Sequence, residues 1–359
     1  MNGPSDRIKA AIQDHGKQYA IKKLPLWAAD DRIVYPGKLP LEQCSSEETA
    51  QFKASLVHGG CFADLCGGFG VDSVFFSRRF KKGFYIEQNP ELFNCAMSNF
   101  KVLGCDNVEC LNTTAEKYVA GMQPCDLIYM DPARRDSSGK KVFLLQDCSP
   151  DITALKTVIL AKCKMLMLKL SPLIDIKAVL QQLPGTFKVY VVSLRNECKE
   201  ILLLLNGEDC PDPEIHCVNL PCKQDFSFRQ GDEENACACY SDPLDYLYEP
   251  NTSILKAGAF KIIANTYGLG KLHPNSHLYT SGTLVPGFPG RIFKVCGIHP
   301  AKASFCKDLD KANLAVRNFP CKTEELKRKL KIKDGGELYI FATTLANGKH
   351  VIIRCRKTA

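Results

Sequence analysis

Asp64-Leu65-Cys66-Gly67-Gly68-Phe69-Gly70 closes a short apolar run at residues 62–66 and leads straight into a helix-like segment at 72–80. A strand that turns through glycines into a helix lets backbone pass against a ligand with no Cβ in the way. Outward from this turn, apolar runs of strand length recur at 61–66, 84–87, 108–111, 127–130, 165–170, 189–194 and 201–205. Helix-like segments at 72–80, 90–103, 115–120 and 151–161 fill most of the gaps. Such alternation predicts a doubly wound, mostly parallel α/β sheet. The last two runs break the rule, because only Arg195-Asn196-Glu197-Cys198-Lys199 separates them. That link is too short for a right-handed crossover and predicts an antiparallel hairpin.

The ends of the strands carry the chemistry, since ligands of open α/β sheets bind outside their carboxyl ends. Asp64, just before the glycines, suits an ammonium and would repel a pyrophosphate. S-adenosyl-L-methionine presents an ammonium, and the loop Cys66, Gly67, Gly68 and Gly70 is read as its cradle. The same glycines also match Gly68-x-Gly70 of a nicotinamide site, which remains open from the loop alone. Glu87 ends the second strand, where an acid accepts hydrogen bonds from ribose hydroxyls. Gln88 and Asn89 follow it, and Pro90 opens the next helix, where its missing N–H costs nothing. Thr114 and Ala115 follow the third strand and are expected beside the adenine. Many methyltransferases place an Asp there, so here backbone or hydroxyl is expected to hold the adenine amine.

The fourth strand delivers Asp131-Pro132-Ala133-Arg134. An acid followed by proline at this place is the pattern of enzymes that methylate nitrogen: carboxylate and proline carbonyl accept from the target N–H and aim its lone pair at the methyl group. Asp131, Pro132 and Arg134 are the candidate catalytic residues, with Asp131 also at the cofactor. Methylation of a pyrimidine carbon would require a cysteine nucleophile after the fifth strand, and that place reads Leu168-Lys169-Leu170-Ser171-Pro172.

Taken together, these residues resemble class I methyltransferases acting on RNA, and in particular bacterial ones with a C-terminal THUMP-like domain. The resemblance spans Glu42-Gln43-Cys44-Ser45-Ser46-Glu47, the glycine loop, Asp131-Pro132-Ala133-Arg134-Arg135, Tyr246-Leu247-Tyr248-Glu249-Pro250-Asn251 and Leu338-Tyr339-Ile340-Phe341-Ala342-Thr343-Thr344. It implies a helical N-terminal segment (residues 1–50), a Rossmann-like seven-stranded methyltransferase domain (51–208), a ferredoxin-like α+β middle domain (209–287) and a small basic THUMP-like domain (288–359). The core is also similar to trimethylguanosine synthases, a match that implies Ser46 and Glu47 near the cofactor. Arg134 stands where related enzymes carry an aromatic that stacks on the base. A guanidinium also stacks on bases and adds charge attraction.

Composition sets the remaining bounds. Lys and Arg number 47 against 39 Asp and Glu, and residues 291–359 hold 16 of the former against 6 of the latter. A basic terminal module on a near-neutral body predicts a nucleic-acid partner, which the resemblance implies is RNA (tRNA or rRNA), with Lys327, Arg328, Lys329, Lys331 and Lys333 on phosphates. That module is read as a strand at 291–295, then a helix, then a capping-box helix start at Thr323, then a hairpin through Ala346-Asn347-Gly348-Lys349. In the middle domain a single helix is expected over 253–263. There the run Tyr248-Glu249-Pro250-Asn251 with Lys256 reads either as the lining of a substrate channel or as a turn with a helix cap. The N-terminus has neither the basic nor the apolar region of a signal peptide, no run is long enough to span a bilayer, and a cytoplasmic location with no membrane partner is expected. The 19 cysteines are expected to be reduced. No metal is expected: Cys237-Ala238-Cys239 is one residue short of a zinc knuckle, and Pro274 separates His273 from His277. Methylation of DNA or protein, and a non-catalytic RNA-binding module, are the competing readings.

Overall fold

Residues 4–134, 145–222, 224–302 and 309–358 are described in a computed structural model of the chain. Two compact units emerge, residues 1–194 with 199–213, and residues 195–198 with 214–359. The strands of the first unit are β1 (Gly59–Asp64), β2 (Phe80–Ile86), β3 (Val108–Leu111), β4 (Cys125–Met130), β5 (Cys163–Leu170), β6 (Thr186–Leu194) and β7 (Glu197–Leu205). They lie in the order β6-β7-β5-β4-β1-β2-β3. β1 pairs in parallel with β2 and β4, and β4 with β5, whereas β7 runs antiparallel to β5. Leu166, Met167 and Leu168 in β5 and Ile201 and Leu202 in β7 are sealed from solvent, as expected of central strands covered on both faces. The β6–β7 turn is tighter than the five-residue link expected. Arg195 and Asn196 alone make it, both at positive φ (51° and 64°), the backbone of a two-residue hairpin turn.

Helices α1 (Pro4–Lys23), α2 (Pro25–Ala28), α3 (Lys38–Gln43) and α4 (Glu47–Ser55) precede the sheet, and α5 (Val71–Ser77), α6 (Pro90–Val102), α7 (Ala115–Gly121), α8 (Ile152–Leu160) and α9 (Ile176–Gln182) connect its strands. The N-terminal helices share one apolar core with the glycine turn: Trp27 and Tyr35 pack against Phe69, with ring centroids 6.4 and 6.3 Å apart. Asn99 of α6 holds the backbone of Val34 from both sides, accepting from its N–H at 2.9 Å and donating to its carbonyl at 2.8 Å.

Within this unit a lysine is wholly buried. The Lys53 ammonium of α4 donates to both carboxylate oxygens of Glu200 in β7, at 2.8 and 2.9 Å, and lies 3.2 Å from Asp72 of α5. Its aliphatic stem adds to the core, and its charge is tolerable only because two acids surround it.

The second unit opens with the antiparallel pair β8 (Glu214–Leu220) and β9 (Phe226–Arg229), followed by α10 (Gln230–Asn235). Its main sheet contains β10 (Tyr246–Pro250), β11 (Gly270–Lys271), β12 (Tyr279–Ser281), β13 (Gly290–Pro300), β14 (Asn313–Arg317), β15 (Leu338–Thr344) and β16 (His350–Lys357), in the order β11-β12-β10-β13-β16-β15-β14. One sheet therefore runs across residues 287 and 288, through the pairing of β10 with β13.

At three places the structure differs from the local expectation. The helix expected over 253–263 is two, α11 (Thr252–Ala257) and α12 (Ile262–Tyr267), because Gly258 takes φ 81° and ends the first. Between β13 and residue 323 the described residues hold the strand β14 and no helix; the spacing of Leu314 and Val316 has period two and sets both against the core. Thr323 does not cap α13 (Thr323–Leu330). It is the first helical residue, and Lys322 at the N-cap makes no side-chain bond.

Replacing Lys53 by Met leaves Glu200 and Asp72 without their cation. Urea unfolding of Lys53→Met should show a loss of about 3–5 kcal/mol, the range for breaking one side of a buried ion pair.

Candidate active site

The glycine turn continues the strand pairing past the end of β1. Leu65 N–H donates to the Tyr129 carbonyl at 3.0 Å and Gly67 N–H to that of Ile86 at 2.9 Å. Tyr85 lies against this loop, its hydroxyl donating to the Gly68 carbonyl at 2.6 Å. A Cβ on Gly67 would stand 2.1 Å from the Tyr85 ring, so only glycine fits. Gly70, at φ 82°, begins α5 in the left-handed region. Glu87, nearly buried, accepts from Gly68 N–H at 2.8 Å and Asn89 N–H at 2.7 Å, one bond to each carboxylate oxygen. Each oxygen keeps a second acceptor site.

Asp64 is 1% exposed, and its carboxylate accepts from Ser73 Oγ at 2.6 Å and Cys66 N–H at 3.1 Å. Burial pushes its pKa up to about 7, with Asp72 and Asp131 adding to the rise and the two hydrogen bonds opposing it. A cation beside this carboxyl would oppose that rise.

Asp64, the glycine turn and Glu87 line one cleft of about 1130 Å³, which also takes in Ser45, Asp72, Gln88, Ala115, Asp131, Pro132 and Lys169. Asp131 is not isolated. Lys169 of β5 donates to its Oδ2 at 2.5 Å and to Ser45 Oγ at 3.3 Å. Ser45 Oγ in turn donates to Asp72 at 2.8 Å and accepts from Lys53 at 3.1 Å, while Tyr129 donates to the same Asp72 oxygen at 2.8 Å. Burial by itself would lower the Lys169 pKa, but the carboxylates of Asp131, Glu200 and Asp72 outweigh it and hold the ammonium above the ordinary lysine value. For Asp72 burial is likewise overcome, by Lys53 and Lys169, and the carboxyl falls below its usual range.

Of the residues singled out by sequence, Asp64, Cys66, Gly67, Gly68, Gly70, Glu87, Gln88, Ala115, Asp131 and Pro132 line the cleft. Ser46, Asn89 and Thr114 are not among its lining residues. Each is a helix N-cap instead, accepting from Thr49, from Glu91 and Leu92, and from Lys117 respectively. Glu47 accepts from the Leu26 N–H. The backbone of Arg134 pairs with that of Cys148 in a two-residue ladder; its side chain, and all of Arg135, lie outside the described residues. Ser45, Asp72, Lys169 and the supporting Lys53, Tyr85 and Glu200 were missed. One signal was visible for Lys169, a lysine inside the apolar run 165–170, since buried lysines are rare unless paired.

In the second unit the basic count overstates free charge. Glu249, 3% exposed, is bound by Arg291 (2.8 Å) and Arg317 (2.7 Å). Lys327 pairs with Asp334 at 2.8 Å and Lys329 with Glu325 at 2.7 Å. Asn251 caps α11, accepting from Ser253 and Ile254, and the Tyr248 hydroxyl bonds Ser281, which is the turn-and-cap arrangement. Among the described residues no group of three or more His, Cys, Asp or Glu is placed to hold a metal, and no helix is long and apolar enough to cross a membrane.

The strand order β6-β7-β5-β4-β1-β2-β3 with β7 reversed, the glycine turn after β1 and the Asp-Pro turn after β4 define a class I methyltransferase fold. Profiles for a ferredoxin-like domain and a THUMP domain-like module match residues 246–289 and 290–357. The crystal structure of a "putative methyltransferase" from Porphyromonas gingivalis W83 is 36% identical, with a TM-score of 0.92 over all of this chain and 92% of that one. The chain thus belongs to the family of class I methyltransferases with a C-terminal THUMP-like domain. An rRNA methylase from Streptococcus thermophilus is 15% identical over 44% of this chain and 93% of its own, with a TM-score of 0.33. TrmK of M. capricolum, solved with S-adenosyl-homocysteine, is 10% identical over 45% of this chain and 68% of its own, with a TM-score of 0.36. Likenesses this weak bear on nothing further. No curated protein matches the chain.

Because its folded pKa is raised from 3.8 to about 7, Asp64 stabilises the ligand-free fold at low pH and loses that contribution as pH climbs through about 4 to 7. The stability difference between the protein and Asp64→Asn, from urea unfolding across this range, should fall by roughly 4 kcal/mol. A difference independent of pH would contradict this.

Proposed function

We propose that the protein is an S-adenosyl-L-methionine-dependent methyltransferase acting on a nitrogen of a base in structured RNA, tRNA or rRNA. The observation that carries this reading is the pairing, in one cleft, of a buried acid at the glycine turn with the Asp131-Pro132 turn after the fourth strand. Both ends fit the cofactor: Asp64 is matched to its ammonium, and Glu87 keeps acceptor sites for its ribose hydroxyls. The close approach of Tyr85 to Gly67 keeps the cradle free of side chains. When bound, the cofactor supplies an electrophilic methyl group on a sulfonium. Asp131 accepts from the target N–H and orients its lone pair, and the Lys169 ammonium fixes that carboxylate in place. Pro132 presents its carbonyl as a second acceptor, and Arg134 is assigned to stacking on the base.

RNA as partner is supported by the basic segment 291–359 and by its match to a THUMP domain-like module. Arg328, Lys331 and Lys333 are assigned to phosphate contacts, while Lys327 and Lys329 are already partnered by acids.

Two measurements test the reading. Asp131→Ala should lower methyl transfer to total tRNA and rRNA by about 10²–10⁴-fold while calorimetric affinity for S-adenosylmethionine changes little. Loss of cofactor affinity instead would mean that Asp131 is misassigned, and wild-type protein that binds no S-adenosylmethionine would sink the enzymatic reading. For the RNA interface, removing residues 291–359 would strip β13 from β10, so charge substitution is the cleaner test. Lys331→Ala with Lys333→Ala should weaken RNA binding and reduce the log K versus log salt slope by about one for each phosphate no longer neutralised. An unchanged slope removes these lysines from the interface.

A further inference from the structure

The Lys169 ammonium has three N–H donors, and among the described residues two have partners, Asp131 Oδ2 and Ser45 Oγ. The third has none, although the side chain is only 11% exposed and lines the cleft. Ser45 cannot take more, since its hydroxyl already accepts from Lys53 and donates to Asp72. On Asp131 the opposite holds: Oδ2 is taken and Oδ1 has no partner among the described residues. One unpaired donor and one unpaired acceptor thus sit side by side on two groups that touch each other. Surrounding carboxylates keep the lysine protonated, so it is a permanent cation and donor, unable to act as a base.

We propose that Lys169 is a catalytic and specificity-determining residue that selects a lactam edge, a ring N–H beside a carbonyl, so that the methylated atom is guanine N1 or uracil N3 and not an exocyclic amine. This rests on the reading of the chain as an RNA nitrogen methyltransferase and narrows its substrate. Hydrogen bonding alone does not separate the bases, because adenine and cytosine also offer an N–H beside an acceptor. The sign of the developing charge does. An exocyclic amine becomes positive as it takes the methyl group, and a fixed ammonium beside it is repulsive. A lactam instead gives up its N–H proton, and negative charge develops on the neighbouring carbonyl oxygen, where an ammonium already fixed in place stabilises it most.

The step balances. The N–H proton passes to Asp131 Oδ1 and then to solvent, and the nitrogen electron pair forms the bond to the methyl carbon. The carbon–sulfur pair stays on sulfur, turning the sulfonium donor into a neutral thioether. Lys169 carries the same charge before and after, and the carbonyl is re-formed once nitrogen is substituted.

The full-length protein, incubated with methyl-labelled S-adenosylmethionine and total tRNA and rRNA, is followed by digestion to nucleosides and identification of the labelled one. Label on guanosine N1 or uridine N3 is expected. Label on adenosine N6, cytidine N4 or any carbon would overturn the inference and, for the two amines, leave RNA nitrogen methylation standing; no label in any RNA would overturn both. A kinetic arm reads the charge directly: single-turnover methyl transfer by Lys169→Met should fall by about 10²–10³-fold, with the remaining rate rising with pH as the lactam N–H ionises without help, while Lys169→Arg keeps most of the rate and the wild-type pH profile. A Lys169→Met variant that folds, binds S-adenosylhomocysteine and transfers at the wild-type rate would reject the inference. If Lys169→Met fails to fold, the position of the label made by the wild-type protein decides alone.

Discussion

Lys53, sealed from solvent between Glu200 and Asp72, is the contact on which the site's frame depends. An ammonium in an apolar interior is intolerable alone, and each of the two acids would be equally so without it. The three residues come from α4, α5 and β7, which the chain separates by up to 147 positions. Ser45 extends the network to Lys169 and through it to Asp131, so that the N-terminal segment, the glycine-turn helix and three strands share one charge balance. Such networks reward completeness: with every partner present they hold a unique arrangement, and with one missing they turn into a penalty.

The same segment braces the ligand loop through packing. Phe69 leaves the glycine turn and lies against Trp27 and Tyr35, while Tyr85 closes the other side and bonds the Gly68 carbonyl. The loop is held both by these aromatic contacts and by backbone pairing to Tyr129 and Ile86. Glycines permit its path, but the surrounding rings decide which path is taken.

In the second unit, part of the charge is neutralised internally. Glu249 of β10 draws in Arg291 of β13 and Arg317 of β14, a residue from the middle segment binding two from the basic one. Since β10 and β13 are neighbours in one sheet, the two segments that match separate family profiles are continuous in backbone hydrogen bonding. A count of basic residues along the chain overlooks how many of them are already neutralised.

Periodicity and local chemistry were enough to read the strand alternation, the glycine turn, the closing hairpin and the Asp131-Pro132 turn, because each depends on residues close in sequence. Side-chain alternation, the short 195–199 link and the steric freedom of glycine act over a few residues and leave a local trace. Tertiary structure decided what those residues touch. Ser46, Asn89 and Thr114 carry polar groups in the right places for a ligand, yet the nearest unpaired N–H groups belong to their own helices, and each became a cap. Lys53, Glu200 and Lys169 read as an ordinary helix lysine, a hairpin acid and an oddity in an apolar run. Their partnership arises only when distant strands and helices meet, for charge pairing depends on distance in space and has no period along the chain.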